Sequence, residues 1–250
     1  MQEPASVTTR KAGGIRETVK TIVYAVGIAL LIRTLLFEPF NIPSGSMKPT
    51  LLVGDYLFVS KYAYGYSRFS LPFSLPLFEG RIFGSLPERG DVVVFKLPSD
   101  NSTDYIKRVV GLPGDRIQVR NGVVYVNGEP ARLERVGELR DPDEGFGRPA
   151  VVYRERLPGD RAHLIMDLYP NGRFDNTGVF EVPEGYIFVM GDNRDNSLDS
   201  RSSHVGFVPV ENLVGRAEIL FFSLDPSARF WEVWKWPWAI RFDRLFRRIQ

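Results

Sequence analysis

Residues 40–51 read Phe-Asn-Ile-Pro-Ser-Gly-Ser-Met-Lys-Pro-Thr-Leu, so Pro43 and Pro49 bracket Ser44, Gly45 and Ser46. Proline fixes φ, and glycine lets the backbone approach closely. Such a loop can hold a hydroxyl and a backbone N–H in a set geometry, which an acyl-transfer nucleophile requires. The same residue types also make ordinary turns. A second segment, Tyr105 to Val110, carries Lys107 inside an apolar run. Strand alternation puts Lys107 on one face with Tyr105 and Val109, and Arg108 on the other. A lysine on an apolar face loses hydration, which disfavours its charged form. A neutral amine can accept a serine proton. A lysine snorkelling at a sheet edge has the same local sequence.

The third segment is Gly191 to Arg201, directly after the apolar run Tyr186–Met190. Its Asp and Asn spacing approaches a calcium loop. Arg194 at the third position and Ser197 in place of the turn glycine break that pattern. The reading is a rigid turn of hydrogen bonds and Arg–carboxylate pairs. No metal and no cofactor are expected. The chain has no Cys and two His, which excludes disulfides, Cys nucleophiles and His-rich metal cages. His204, near the third segment, leaves a Ser-His-Asp triad open, with a surface histidine as the plainer reading. Lys48 is expected to be a solvated loop lysine that keeps its proton. A Ser-x-x-Lys arrangement on Ser46 would need a lysine where Pro49 stands. A formal charge of +2 gives no reason to expect nucleic acid as a partner.

Elements must position these residues. Runs at 91–95, 105–110, 116–119, 123–126, 186–189 and 217–221 have the β-branched and aromatic character of strands. Asn121-Gly122 is a hairpin signal between two of them. Residues 129–178 are more polar and read as an inserted region with weak strands. Ahead of all this, residues 21–37 are apolar except Arg33, just long enough to span a bilayer. The stretch lacks a polar stripe, unlike a core helix. Bulky Phe37-Glu38-Pro39-Phe40 follows it, unlike a cleavage site. It reads as an uncleaved anchor that Pro39 ends. The basic flank at 1–20 puts the N-terminus in the cytoplasm and the rest outside. At the other end, residues 230–249 combine four Trp with Arg and Lys, the composition of a membrane interface. The aromatic stretch 62–83, with Phe69, Phe73, Phe78 and Phe83, reads equally as interface or as core edge.

Taken in order, these blocks resemble the bacterial type I signal peptidase family. The resemblance runs from Leu31-Ile32-Arg33-Thr34 and Phe37-Glu38-Pro39-Phe40 through Pro43-Ser44-Gly45-Ser46-Met47 and Gly54-Asp55. It continues through Lys61 to Gly65, Arg89 to Phe95, Asp104 to Asp115, and Gly191 to Arg201. It implies a membrane-bound serine endopeptidase that removes signal peptides from exported preproteins after an Ala-x-Ala type site. It implies Ser46 as nucleophile, Lys107 as general base, and Ser44 with the Ser46 N–H as oxyanion hole. It further implies Ser197 as the residue orienting the lysine, and Asp199 with Arg201 as a structural ion pair.

The expected architecture is mostly β: a signal-peptidase-like β core with a smaller inserted β region at about 116–185, preceded by one transmembrane helix. The expected divisions are a cytoplasmic tail (1–20), an anchor (21–37), an exocytoplasmic catalytic domain (38–230) and an interfacial C-terminal segment (231–250). Ile42, Pro43, Met47, Leu51, Tyr105 and Ile106 are the expected walls of a shallow substrate pocket. The expected partners are signal-peptide-bearing preproteins and membrane lipid, and the expected location is the bacterial inner membrane. Ser46 lies nine residues past Phe37, so the chemistry stays within ~30 Å of the bilayer. Two further readings remain open: another Ser–Lys peptidase of the pilus-processing or self-cleaving kind, and a non-enzymatic anchored β module.

Overall fold

The computed structural model describes residues 14–71, 74–140, 149–159, 161–169 and 171–249. Residues 1–13 of the expected cytoplasmic tail, and Phe73 of the aromatic stretch, lie outside the described residues. Helix α1 spans Ile15–Leu35, and none of its residues is buried. It starts six residues before the expected 21 and stops two before 37. Glu17 in its first turn complements the N-terminal dipole. At the other end Pro39 forces the residue before it into extended backbone. Strand β1, Phe37–Asn41, therefore begins where the sequence reading still had the anchor. The junction is tied down by Tyr66, whose hydroxyl donates to the Leu35 carbonyl at 2.7 Å. Glu38 also pairs with Arg33 (2.6 Å) and Lys61 (2.8 Å).

After β1 come β2 (Asp55–Ser60), β3 (Tyr66–Ser67), β4 (Arg81–Ile82), β5 (Val92–Lys96) and β6 (Asp104–Gly111). The inserted region holds β7 (Arg116–Arg120), β8 (Val123–Val126), β9 (Glu129–Pro130), β10 (Arg132–Arg140), β11 (Pro149–Arg156), β12 (Ala162–Asp167) and β13 (Phe180–Glu181). The chain then returns with β14 (Tyr186–Met190), β15 (Val208–Pro209) and the long β16 (Leu213–Ser223). The main sheet has the order β1-β2-β16-β5-β6-β14-β15.

The architecture is mostly β with one N-terminal apolar helix. Strand β16 pairs with β5 through its first residues and with β2 through its last, and its register shifts at three places. Each bulge bends the strand and increases its twist, so the sheet curls. One core cluster gathers Ile42, Met47, Leu51, Leu57, Val59 and Val94. A second, containing Val93, Phe95 and Val109, lies on the opposite side of β5 and β6. The inserted strands form two small sheets, β13-β7-β8-β9 and β10-β11-β12. The latter contains the strands that the sequence reading had left weak.

Candidate active site

The loop from Ile42 to Gly54 closes on itself. The Ile42 N–H donates to the Asp55 carbonyl at 2.8 Å, and Gly54 N–H donates back to the Ile42 carbonyl at 3.0 Å. Below the loop, Ile42, Met47 and Leu51 are buried in the core, the last two with no exposed surface. Their apolar bulk anchors the loop. Of the six expected pocket residues, Pro43 is exposed and Tyr105 and Ile106 are half-buried.

Strand β6 brings Lys107 to this loop. Its Nζ donates to Ser46 Oγ at 2.7 Å and to the Ile106 carbonyl at 2.9 Å. The lysine is 3% exposed. Burial pushes its pKa from 10.5 down to about 8, against the opposing pull of Asp199 and Asp192. The ring of Tyr105 lies 5.4 Å from the amine. Ser44 Oγ stands 3.4 Å from Ser46 Oγ on the exposed side of the loop. Among the described residues nothing accepts from the Ser46 N–H. A backbone donor and a hydroxyl beside a nucleophile can together hold an oxyanion.

The turn after β14 holds this arrangement from behind. Asp199 is fully buried and takes two hydrogen bonds from the Arg201 guanidinium, at 2.9 and 2.8 Å. The Gly191 N–H donates to the same carboxylate at 3.0 Å. Arg201 and that N–H hold the Asp199 pKa below its ordinary value despite burial. The expected ion pair is therefore brought together. The expected bond from Ser197 to Lys107 is not formed. The Ser197 hydroxyl is buried and has no hydrogen-bond partner. It is turned against Gly191, where a Cβ would come within 2.2 Å of it. The bonds that aim the lysine amine run to Ser46 and Ile106 instead.

Other expectations also shift. Lys48 is buried rather than solvated, at 5% exposure. His204 meets the Tyr105 hydroxyl at 3.4 Å, and no bond joins it to Ser46. Two groups escaped the sequence reading. Asn193 clamps the loop, its N–H donating to the Ser46 carbonyl (3.1 Å) and its Nδ2 to the Gly45 carbonyl (3.2 Å). Asp192 takes two bonds from Arg108, at 2.8 and 2.7 Å, and one from Thr50 at 2.5 Å. The signal for the latter was present: an arginine alternating with a buried lysine must find a buried carboxylate.

The family described as signal peptidase, peptidase S26, matches residues 15–222. The signal peptidase I of Rickettsia typhi is 41% identical over 254 residues, covering 94% of each chain. That of Rickettsia canadensis is 43% identical over 249 residues, covering 92% of each. A crystal structure of a signal peptidase I from Enterococcus faecalis covers 53% of this chain and 97% of its own, at 26% identity and a TM-score of 0.31. The family match and the Rickettsia relatives give the class first: a peptidase. The chain belongs to the signal peptidase family, the enzymes that remove signal peptides.

Proposed function

We propose that the protein is a membrane-anchored serine endopeptidase that cuts preproteins after an Ala-x-Ala type site, with Ser46 as nucleophile and Lys107 as general base. The observation that carries this is the 2.7 Å bond from a buried lysine amine to a serine hydroxyl. Lys107, when neutral, takes the proton as Ser46 Oγ attacks the carbonyl before the scissile bond. The oxyanion is held by the Ser46 N–H and the Ser44 hydroxyl. The protonated lysine then gives its proton to the leaving amine. A water, with its proton again taken by Lys107, hydrolyses the acyl-enzyme. Ser197 is the buried hydroxyl with spare bonding capacity beside this path, and in this reading it receives the lysine amine once Ser46 is acylated.

Helix α1 is the one span among the described residues, with the N-terminus cytoplasmic and the β body outside. Its apolar side chains are exposed along its whole length, which suits lipid rather than a protein core. The body then sits against the membrane from which a signal peptide emerges. The test is direct. Full-length protein in detergent should cleave a preprotein bearing Ala-x-Ala, and Ser46→Ala and Lys107→Ala should each lose at least 10³-fold in kcat. Near-normal turnover by either variant overturns the assignment.

A further inference from the structure

A cavity of about 710 Å³ is lined by Arg108, the residue that follows Lys107 on β6. We propose that it binds the phosphate headgroup of an anionic phospholipid, which enters from the bilayer beside the end of α1. The proposal rests on reading α1 as the anchor and not on the chemistry at Ser46.

The walls come from three parts of the chain. Arg108 and Arg216 belong to the main sheet, Arg161 and His163 to the inserted region, and Arg248 to the C-terminal segment. Three of the four guanidinium groups are committed. Arg108 is held by Asp192, Arg161 by Asp91 and Glu88, and Arg216 by Glu218. Arg248 is exposed and has no carboxylate partner among the described residues. A second cavity of about 220 Å³ shares His163, Arg248 and Ile249 with the first and adds Arg247, whose side chain is likewise unpartnered among the described residues. One uncommitted guanidinium group, Arg248, thus lines both cavities, and a second, Arg247, lines the smaller one. A guanidinium presents forked donors that match phosphate oxygens.

His163 supplies the second, independent observation. Its ring is 1% exposed and lines both cavities. Nε2 lies 3.0 Å from Glu155 Oε2, while Nδ1 has no hydrogen-bond partner. Leaving a buried polar atom unsatisfied costs about 1–3 kcal/mol, so the site is short of a partner at Nδ1. Burial and the nearby Arg108 lower the His163 pKa, so the ring is neutral.

Position decides the source of the phosphate. Phe37, two residues past α1, and Tyr62 pack edge to face at 5.6 Å in the cavity wall. With α1 in the bilayer, that side of the cavity opens at the headgroup level. Phe37 and Ile249 offer apolar surface for the glycerol and first methylenes, while the guanidinium groups take the charge. The volume lies within the ~300–1,000 Å³ of small-molecule sites.

The test uses full-length protein carrying Ser46→Ala, so that cleavage plays no part. The protein is equilibrated in mixed micelles of phosphatidylglycerol and phosphatidylcholine, passed through a column, and its retained lipid is measured by native mass spectrometry. Phosphatidylglycerol should be retained over phosphatidylcholine. Arg247→Gln with Arg248→Gln should reduce that retention about tenfold, the loss of one or two charge-assisted hydrogen bonds. Arg135→Gln, on the exposed β10, should change nothing. His163→Asn tests the floor of the site separately and should also reduce retention. Equal retention of the two lipids, or retention unmoved by the double variant, overturns the proposal. If soluble glycerol phosphate or inorganic phosphate displaces the lipid at matched concentration, the site takes free phosphate and the lipid source is overturned. Cleavage by the wild type, run in parallel, reports on the peptidase reading independently.

Discussion

At the scale of single residues, the proposed base Lys107 is a buried amine with a lowered pKa. Burial brings the Lys107 pKa down to about 8, so at pH 7 about a tenth of the enzyme holds the neutral amine. Turnover should rise with pH and reach half its maximum near pH 8, as a pH–kcat/KM profile would read. A profile flat from pH 6 to 9 would remove Lys107 as the base. The same shift has a stability consequence. Between about pH 8 and 10.5 the unfolded chain holds a proton that the folded one lacks, so stability rises with pH across that window. Below pH 8 the full penalty applies, of the order of 3 kcal/mol. Lys107→Met should therefore be inactive yet more stable at pH 7, with the gain fading towards pH 10.5 in urea titrations. Ser44→Ala should fold normally and lose roughly 10²–10³ in kcat, as for one oxyanion donor. Much of this is legible in the sequence. A lysine amid Tyr105, Ile106 and Val109 announces its burial. The rotamer of Ser197 is not legible in the sequence, because it depends on how the turn folds Ser197 back against Gly191.

At the scale of elements, the C-terminal segment is more firmly built in than its composition suggests. Asp55, at the start of β2, has no exposed surface and pairs with Arg244 through bonds of 3.0 and 2.5 Å. Ser223 donates to the same carboxylate at 2.7 Å. The tail then pairs along the free edge of β16, with Leu220 N–H donating to the Arg247 carbonyl and Ile249 N–H to the Glu218 carbonyl. Unpaired strand edges invite other chains, and here the protein's own C-terminus covers one. Removing one partner of a buried pair leaves the other charge stranded, at about 3–5 kcal/mol. Asp55→Ala should lower stability by that amount in chemical denaturation, and proteases should then trim the tail first. A loss below about 1 kcal/mol would mean that the pair is dispensable. Sequence reading missed both β2 and this tether. Strand β2 alternates buried Leu57 and Val59 with half-buried Tyr56 and Phe58, a signal masked because the less buried face is aromatic rather than polar. Strand β10 had no such signal to give, since no residue on either of its faces is buried.

At the scale of the whole molecule, the arrangement asks which surface meets the bilayer. All four Trp of the protein lie in residues 231–238. Trp231, Trp234 and Trp238 are exposed by 67%, 65% and 85%, and Phe242 and Phe246 are exposed beside them. Trp236 is half-buried instead, packed on Phe222 and Phe230 with ring centroids 5.3 and 5.6 Å away. Large aromatic side chains left in water are costly, and an interfacial position resolves that cost for amphipathic rings. Because no Trp lies elsewhere, the intrinsic fluorescence of the full-length enzyme reports on this segment alone. Reconstituted in vesicles whose acyl chains carry bromine near the headgroup, the protein should lose most of its Trp emission. Bromine placed near the bilayer centre should quench far less, because an interfacial ring stays shallow. Trp236→Phe should leave the quenched fraction almost unchanged, whereas replacing Trp231, Trp234 and Trp238 with Phe should remove it. Emission that no brominated lipid quenches would put this face in water and leave α1 as the sole contact with the membrane.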